Sequence, residues 1–170
     1  RVGAFAALQQ LHRASARRAS STMITPATAL SEDEEMLRDT ARKFAQEVLL
    51  PRVMSQDQAG KMDKEVIDAL FENGFMGIEA PEEYGGAGLN FTAACLAVEE
   101  IAKVDPAIAV LMDIQNTLLI TAFNTYGTAE QKEKYLTRLA TDTVASFCLS
   151  ESGSGSDAFA LQTRAVRDGS

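Results

Sequence analysis

Residues 147–157 read Phe147-Cys148-Leu149-Ser150-Glu151-Ser152-Gly153-Ser154-Gly155-Ser156-Asp157, and this run decides how the chain is interpreted. Four serines and two glycines fall within residues 150–156. Glycine lets backbone N–H groups come close to an anion, and serine hydroxyls add donors, so the loop can form a concave nest for phosphate. Composition alone equally allows a flexible Ser/Gly turn between strands. The residues leading in, Val144 to Ser150, read as a strand. Leu161 to Val166 read as a second strand, and Asp168-Gly169 is a hairpin turn signal. The sequence stops one residue later. A hairpin without its return strand leaves backbone donors and acceptors unpaired. Residues 144–170 are therefore expected to be the truncated start of a β domain.

Upstream the pattern is helical. Ser31-Glu32-Asp33-Glu34 is a capping box with acids at the positive end of a helix. Leu37, Ala41, Phe44 and Val48 follow at helical spacing, and Pro51 ends the element. A second helix is expected from near Asp63, with Val66, Ile67, Leu70 and Phe71 as its apolar stripe and Gly74 as its stop. The glycines of Pro81–Gly88 mark a turn; a phosphate loop would need a following Lys-Ser/Thr. Asn90 caps a third helix, with Phe91, Ala94, Val98 and Ile101 on one side and Glu99, Glu100 and Lys103 on the other. Pro106 opens a fourth, long and apolar, which reaches Phe123, ends at Gly127 and is expected to be buried between others. Thr128 and Gln131 box a fifth, whose buried face is Tyr135, Leu136 and Leu139.

Residues 1–30 hold Arg1, Arg13, Arg17 and Arg18 and no acid, and are rich in Ala and Ser. Phe5, Leu8 and Leu11 would share one side of a helix. That is the composition of a mitochondrial transit peptide; a disordered basic tail is the plainer alternative. The remaining residues carry 12 basic against 24 acidic side chains, which argues against nucleic acid as a partner. No apolar run approaches the ~18 residues of a membrane span. The one histidine, His12, lies in the leader, and Cys95 and Cys148 stand far apart without companions, so neither a metal site nor a disulfide framework is expected.

The run Cys148–Ala160, CLSESGSGSDAFA, resembles the signature of the acyl-CoA dehydrogenase family position by position. GFMGIEAPEEYGGAG (74–88), VEEIAKVDPAIAV (98–110) and YGTAEQKEKYL (126–136) resemble the same family in the same order. The resemblance covers about residues 31–170. It implies a mainly α fold: a leader over 1–30, the family's N-terminal helical domain over 31–143, and the first strands of its middle β domain over 144–170. It also implies that Phe147, Cys148, Leu149, Ser150, Glu151, Ser152, Gly153, Ser154, Gly155 and Ser156 line FAD. Leu149 and Ser150 would approach the flavin ring edge. Gly155 and Ser156 would lie near the pyrophosphate, and Ser156 would also touch the acyl-CoA substrate. Glu151 and Asp157 are expected to hold the loop's shape. Ser152 departs from the Pro common at its position.

The implied reaction is α,β-dehydrogenation of an acyl-CoA in the mitochondrial matrix, with electrons passed to an electron-transferring flavoprotein by a homotetramer. GFMGIE, EEIAKVD, IQNTLL (114–119) and SFCLSE look most like the short/branched-chain branch of the family. That branch implies a 2-methyl-branched substrate from isoleucine breakdown. In the family the catalytic base is a Glu of a C-terminal bundle, so no catalytic residue is expected here, and the 170 residues alone are expected to be inactive and to hold FAD weakly. An acyl-CoA oxidase-like relative and a truncated, non-enzymatic helical module are the alternatives.

Overall fold

The computed structural model describes residues 29–169, so residues 1–28 of the expected leader lie outside the described residues. Helix α1, Glu32–Phe44, starts on the expected capping box: Ser31 Oγ accepts from the Glu34 N–H, and Glu34 accepts from the Ser31 N–H. Four acids occupy its first turn, and Arg42 and Lys43 its last, both matched to the helix dipole. It continues as a π-helical stretch, Ala45–Leu49.

A short helix that the sequence pattern did not signal follows, α2, Val53–Ala59, ending on Gly60 at φ 61°. Its buried residue is Gln56, so it has no apolar stripe to recognise. Helix α3, Lys64–Glu72, has Asp63 at its N-cap and buries Val66 and Leu70. A turn over Phe75–Leu89 contains a 3-10 segment, Glu82–Tyr84. There Gly86 packs so closely that a Cβ would stand 2.0 Å from the Ala80 carbonyl oxygen. Gly85 and Gly88 take the left-handed conformation, φ 85° and 63°, so these glycines mark a turn, as expected.

Helix α4, Phe91–Ala102, is capped by Asn90, whose side chain accepts from the Ala93 N–H. Its faces differ from the expected ones. Phe91 is exposed and Glu100 is buried, because Arg42 and Lys103 neutralise the carboxylate at the α1–α4 contact. Helix α5, Pro106–Tyr126, is long and apolar enough by length and composition to cross a membrane, contrary to the expectation from apolar runs alone. It packs instead against α4, and buries Gln115 and Asn116 in hydrogen bonds to neighbouring segments. Val110 and Leu118 stay exposed, so the helix is covered on one side only. Helix α6, Ala129–Thr141, has the expected Thr128/Gln131 capping box. It buries Leu136 and Leu139 but, contrary to expectation, leaves Tyr135 exposed, stacked on Phe123 at 5.1 Å.

Two apolar clusters hold these helices together. The larger joins Leu37, Phe44, Val66, Leu70, Phe75, Ile101, Ile108 and Met112, with Phe44 edge-on to Phe75 at 5.2 Å. The smaller joins Ala80, Ile120, Leu136, Leu139 and Ala140.

The strand expectation fails as secondary structure. Among the described residues there is no strand; 144–150 and 161–168 lack regular structure, and the nearest thing to pairing is the single Glu151–Ser154 bridge. A strand is defined by its ladder, and among the described residues no second backbone lies alongside these segments. Gly169 does take the left-handed conformation, φ 90°, that the hairpin signal requires.

Candidate functional site

The loop 150–156 is a small hydrogen-bonded device. The Glu151 N–H donates to the Ser154 carbonyl at 2.9 Å, and the Ser154 N–H donates back to the Glu151 carbonyl at 3.0 Å. Ser154, buried, donates its hydroxyl to the Asp157 carbonyl at 2.7 Å. The Glu151 carboxylate accepts from the backbone N–H groups of Gln162 and Thr163 at 2.8 and 3.0 Å. The bonds from Thr163 and Gln162 hold its carboxyl below the usual range. Asp157 accepts from the Phe159 N–H. Both acids are thus engaged in keeping the loop's shape, which is the role the resemblance implied for them.

Among the described residues no hydrogen bond engages the N–H groups of Gly153, Gly155 and Ser156, or the hydroxyls of Ser150, Ser152 and Ser156. Neither Gly153 nor Gly155 has a positive φ, and a Cβ on either would meet nothing within 4 Å. Glycine at these two positions is therefore required neither by the backbone nor by packing within the chain, in contrast to Gly86. It leaves open the space through which an external anion can reach the N–H groups. Phe147, Cys148 and Leu149 precede the loop in the open, with Phe147 and Leu149 presenting apolar surface. The site thus combines free donors with exposed apolar side chains, the two things a dinucleotide with a planar ring needs.

The sequence did not single out the residues that hold this segment to the helices. Gln115 and Asn116 are both fully buried in the π-helical stretch Ile114–Ile120 of α5. Gln115 Nε2 donates to the carbonyls of Leu139 and Thr143, each at 2.8 Å, and its Oε1 accepts from the Ala145 N–H at 3.0 Å. Asn116 Nδ2 donates to the carbonyls of Phe75 and Met112, and its Oδ1 accepts from the Ile78 N–H at 2.8 Å. The available signal was two consecutive carboxamides in a largely apolar helix.

Elsewhere, burial pushes the Glu79 carboxyl up, reinforced by the charge of Asp113. Burial also raises the Cys95 thiol, with Glu79 and Asp113 adding to it. Cys95 and Cys148 are both free. Among the described residues no group of three or more His, Cys, Asp or Glu could hold a metal ion.

This six-helix domain, with a donor-rich loop at its exit, is matched over residues 31–143 by the family described as acyl-CoA dehydrogenase, N-terminal domain. The chain belongs to the acyl-CoA dehydrogenase family. It is 53% identical over 87% of its length to the "Probable short/branched chain specific acyl-CoA dehydrogenase" of Dictyostelium discoideum, covering 36% of that protein. It is 46% identical over 86% of its length to the mitochondrial short/branched chain specific acyl-CoA dehydrogenase of Bos taurus, covering 34%. Among solved structures, the butyryl-CoA dehydrogenase of Megasphaera elsdenii matches with a TM-score of 0.76 and 33% identity, over 81% of this chain and 37% of that one. The chain thus spans about a third of the length of these relatives.

Proposed function

We propose that the chain is the N-terminal part of an enzyme that carries out FAD-dependent α,β-dehydrogenation of acyl-CoA thioesters. The free donors at Gly153, Gly155 and Ser156, on a loop shaped by Glu151, Ser154 and Asp157, carry this reading. The donor set fits a pyrophosphate: uncharged N–H and hydroxyl groups close together, with open space over two glycines. In this reading Phe147, Cys148, Leu149 and Ser150 face the flavin, and Ser156 also contacts the acyl-CoA. Bound FAD would supply the hydride acceptor. The residues of this chain bind and orient; none is assigned as the base that removes the α-proton.

Residues 1–30, with their Arg/Ala/Ser composition, act as a mitochondrial transit peptide, and residues 144–170 begin the middle β domain. The substrate is a short, 2-methyl-branched acyl-CoA, a reading supported by the two short/branched-chain relatives. The protein works in the matrix as a homotetramer and passes electrons to an electron-transferring flavoprotein. The test is to isolate the protein from its native mitochondria, sequence its N-terminus, measure its flavin content, and assay it on 2-methylbutanoyl-, butanoyl- and octanoyl-CoA. A start between Arg18 and Leu30, bound FAD and preference for the branched thioester are expected. Preference for octanoyl-CoA overturns the substrate, a start at Arg1 overturns the leader, and absence of flavin overturns the reading as a whole.

A further inference from the structure

We propose that Gln115 is the positioning residue that sets where the 150–156 loop stands relative to the helical domain; the proposal rests on the flavin reading above. A primary carboxamide has two N–H donors and an acceptor oxygen. In Gln115 all are used on one short stretch of chain: the Leu139 and Thr143 carbonyls and the Ala145 N–H. One buried side chain thus joins the middle of the domain to the last turn of α6 and to the segment that leaves it.

Within that segment the Thr143 N–H also donates to the Arg138 carbonyl at 2.8 Å, and among the described residues Ala145 is the last one bonded before the loop. Among the described residues, Ser146 to Ser150 form no hydrogen bond, and the next bonded residue is Glu151. The last hydrogen bond that ties the chain to the helical domain before the loop is therefore the one at Ala145, and the approach to the loop starts from there. Orientation of this kind matters for a nest of N–H groups, because donors held in place before binding do not have to be ordered by the ligand.

The side-chain chemistry is restrictive. Leucine or methionine would leave three backbone groups without their partner. Glutamate would set a carboxylate against two carbonyl oxygens. Asparagine lacks a methylene of reach. The π-helical turn contributes as well, because its wider geometry accompanies two consecutive carboxamides that are both fully buried and serve opposite targets. Asn116 holds the Phe75–Glu79 side and Gln115 holds the exit side. The two sides also touch directly, since a Cβ on Gly77 would stand 3.0 Å from that of Ala140.

A residue that merely caps α6 would show the same bonds, so the test separates anchoring from positioning. Gln115→Met removes the tether from the helix side, and Ala145→Pro removes the N–H from the loop side, at a half-buried residue on the edge of the smaller apolar cluster. Both are made in the full chain with uniform ¹⁵N labelling. Amide hydrogen exchange is followed by NMR, and FAD is titrated to millimolar levels while the amide shifts of Gly153, Gly155 and Ser156 are read. In both variants exchange at the bonded amides of Glu151 and Ser154, and in Gln115→Met also at Ala145, should accelerate about tenfold, with the α4 amides of Ala97 and Ile101 unchanged. The FAD midpoint at Gly155 and Ser156 should rise about fivefold or more.

Unchanged exchange overturns the tether. Faster exchange with an unchanged FAD midpoint overturns the positioning role and leaves Gln115 as a cap. If Gln115→Met loses protection in α4 it has unfolded, and Ala145→Pro decides by the same criteria. If the wild-type loop amides do not respond to FAD at all, the flavin reading fails and the positioning role falls with it, while exchange still reports separately whether the tether exists.

Discussion

Arg42 on α1 grips Glu100 on α4 with both ends of its guanidinium: Nε lies 3.1 Å from one carboxylate oxygen and Nη2 3.0 Å from the other. Glu100 is only 4% exposed, and Lys103 donates to it as well at 2.9 Å. The fork-shaped pairing is what permits a carboxylate at this helix contact.

Replacing Arg42 with Met should therefore destabilise the domain through the charge it strands. We expect Tm to fall by roughly 5–10 °C, with Lys103 limiting the loss. Arg42, followed by Lys103, holds the Glu100 carboxyl below its ordinary value of 4.5. Its folded pKa lies below its unfolded one, so its stabilising share is complete above about 4.5 and is lost as pH falls through the lower folded value. Thermal melts from neutral pH into the acid range should show this loss, and Glu100→Gln should reduce it.

Glu79 should behave in the opposite sense. Among the described residues one of its carboxylate oxygens is buried without a hydrogen-bond partner, and burial, with Asp113 second, raises its pKa. Ionised Glu79 thus costs stability at neutral pH, a cost relieved as pH falls through the raised folded value. Glu79→Gln is expected to raise Tm at pH 7 by roughly 2–4 °C. The gain should shrink on acidification, and a gain independent of pH would exclude the charge as its cause.

The two kinds of glycine should separate cleanly. Gly86→Ala forces a Cβ against the Ala80 backbone and should cost about 3 kcal/mol or more, read by urea denaturation. Gly155→Ala meets nothing and should change stability by less than about 0.5 kcal/mol. The same substitution should weaken FAD binding, because the methyl group occupies the open side of the nest.

Asn116→Leu keeps the volume and removes the buried carboxamide. The Ile78 N–H and the Phe75 carbonyl then lose their partner in the interior. The expected loss is about 2–4 kcal/mol, since buried groups left unpaired carry their full desolvation cost. Chemical denaturation measures it, and a neutral result would mean that water replaces the side chain.

Helix starts were legible because a cap is a contact over three residues. Ser31 with Glu34, Asn90 with Ala93 and Thr128 with Gln131 are visible in the sequence as they are in space. The loop's composition likewise marked it as a candidate anion site, since donor type and glycine spacing are local properties. Helix α2 was not legible, because it buries a glutamine rather than an apolar stripe. The strands over 144–150 and 161–166 were read from side-chain pattern, but pairing needs a second backbone, which the described residues do not supply.

The sequence by itself determined the helical class, most helix boundaries, the family and the position of the donor-rich loop, all of which depend on neighbours within a few residues or on the order of motifs. Tertiary structure alone decided which side of α4 is inside, because Glu100 is buried only if Arg42, 58 positions away, arrives opposite it. It also decided the roles of the two carboxamides of α5. Gln115 looks like any polar residue until Leu139, Thr143 and Ala145 are brought around it, and hydrogen bonds between segments distant in sequence have no local signature.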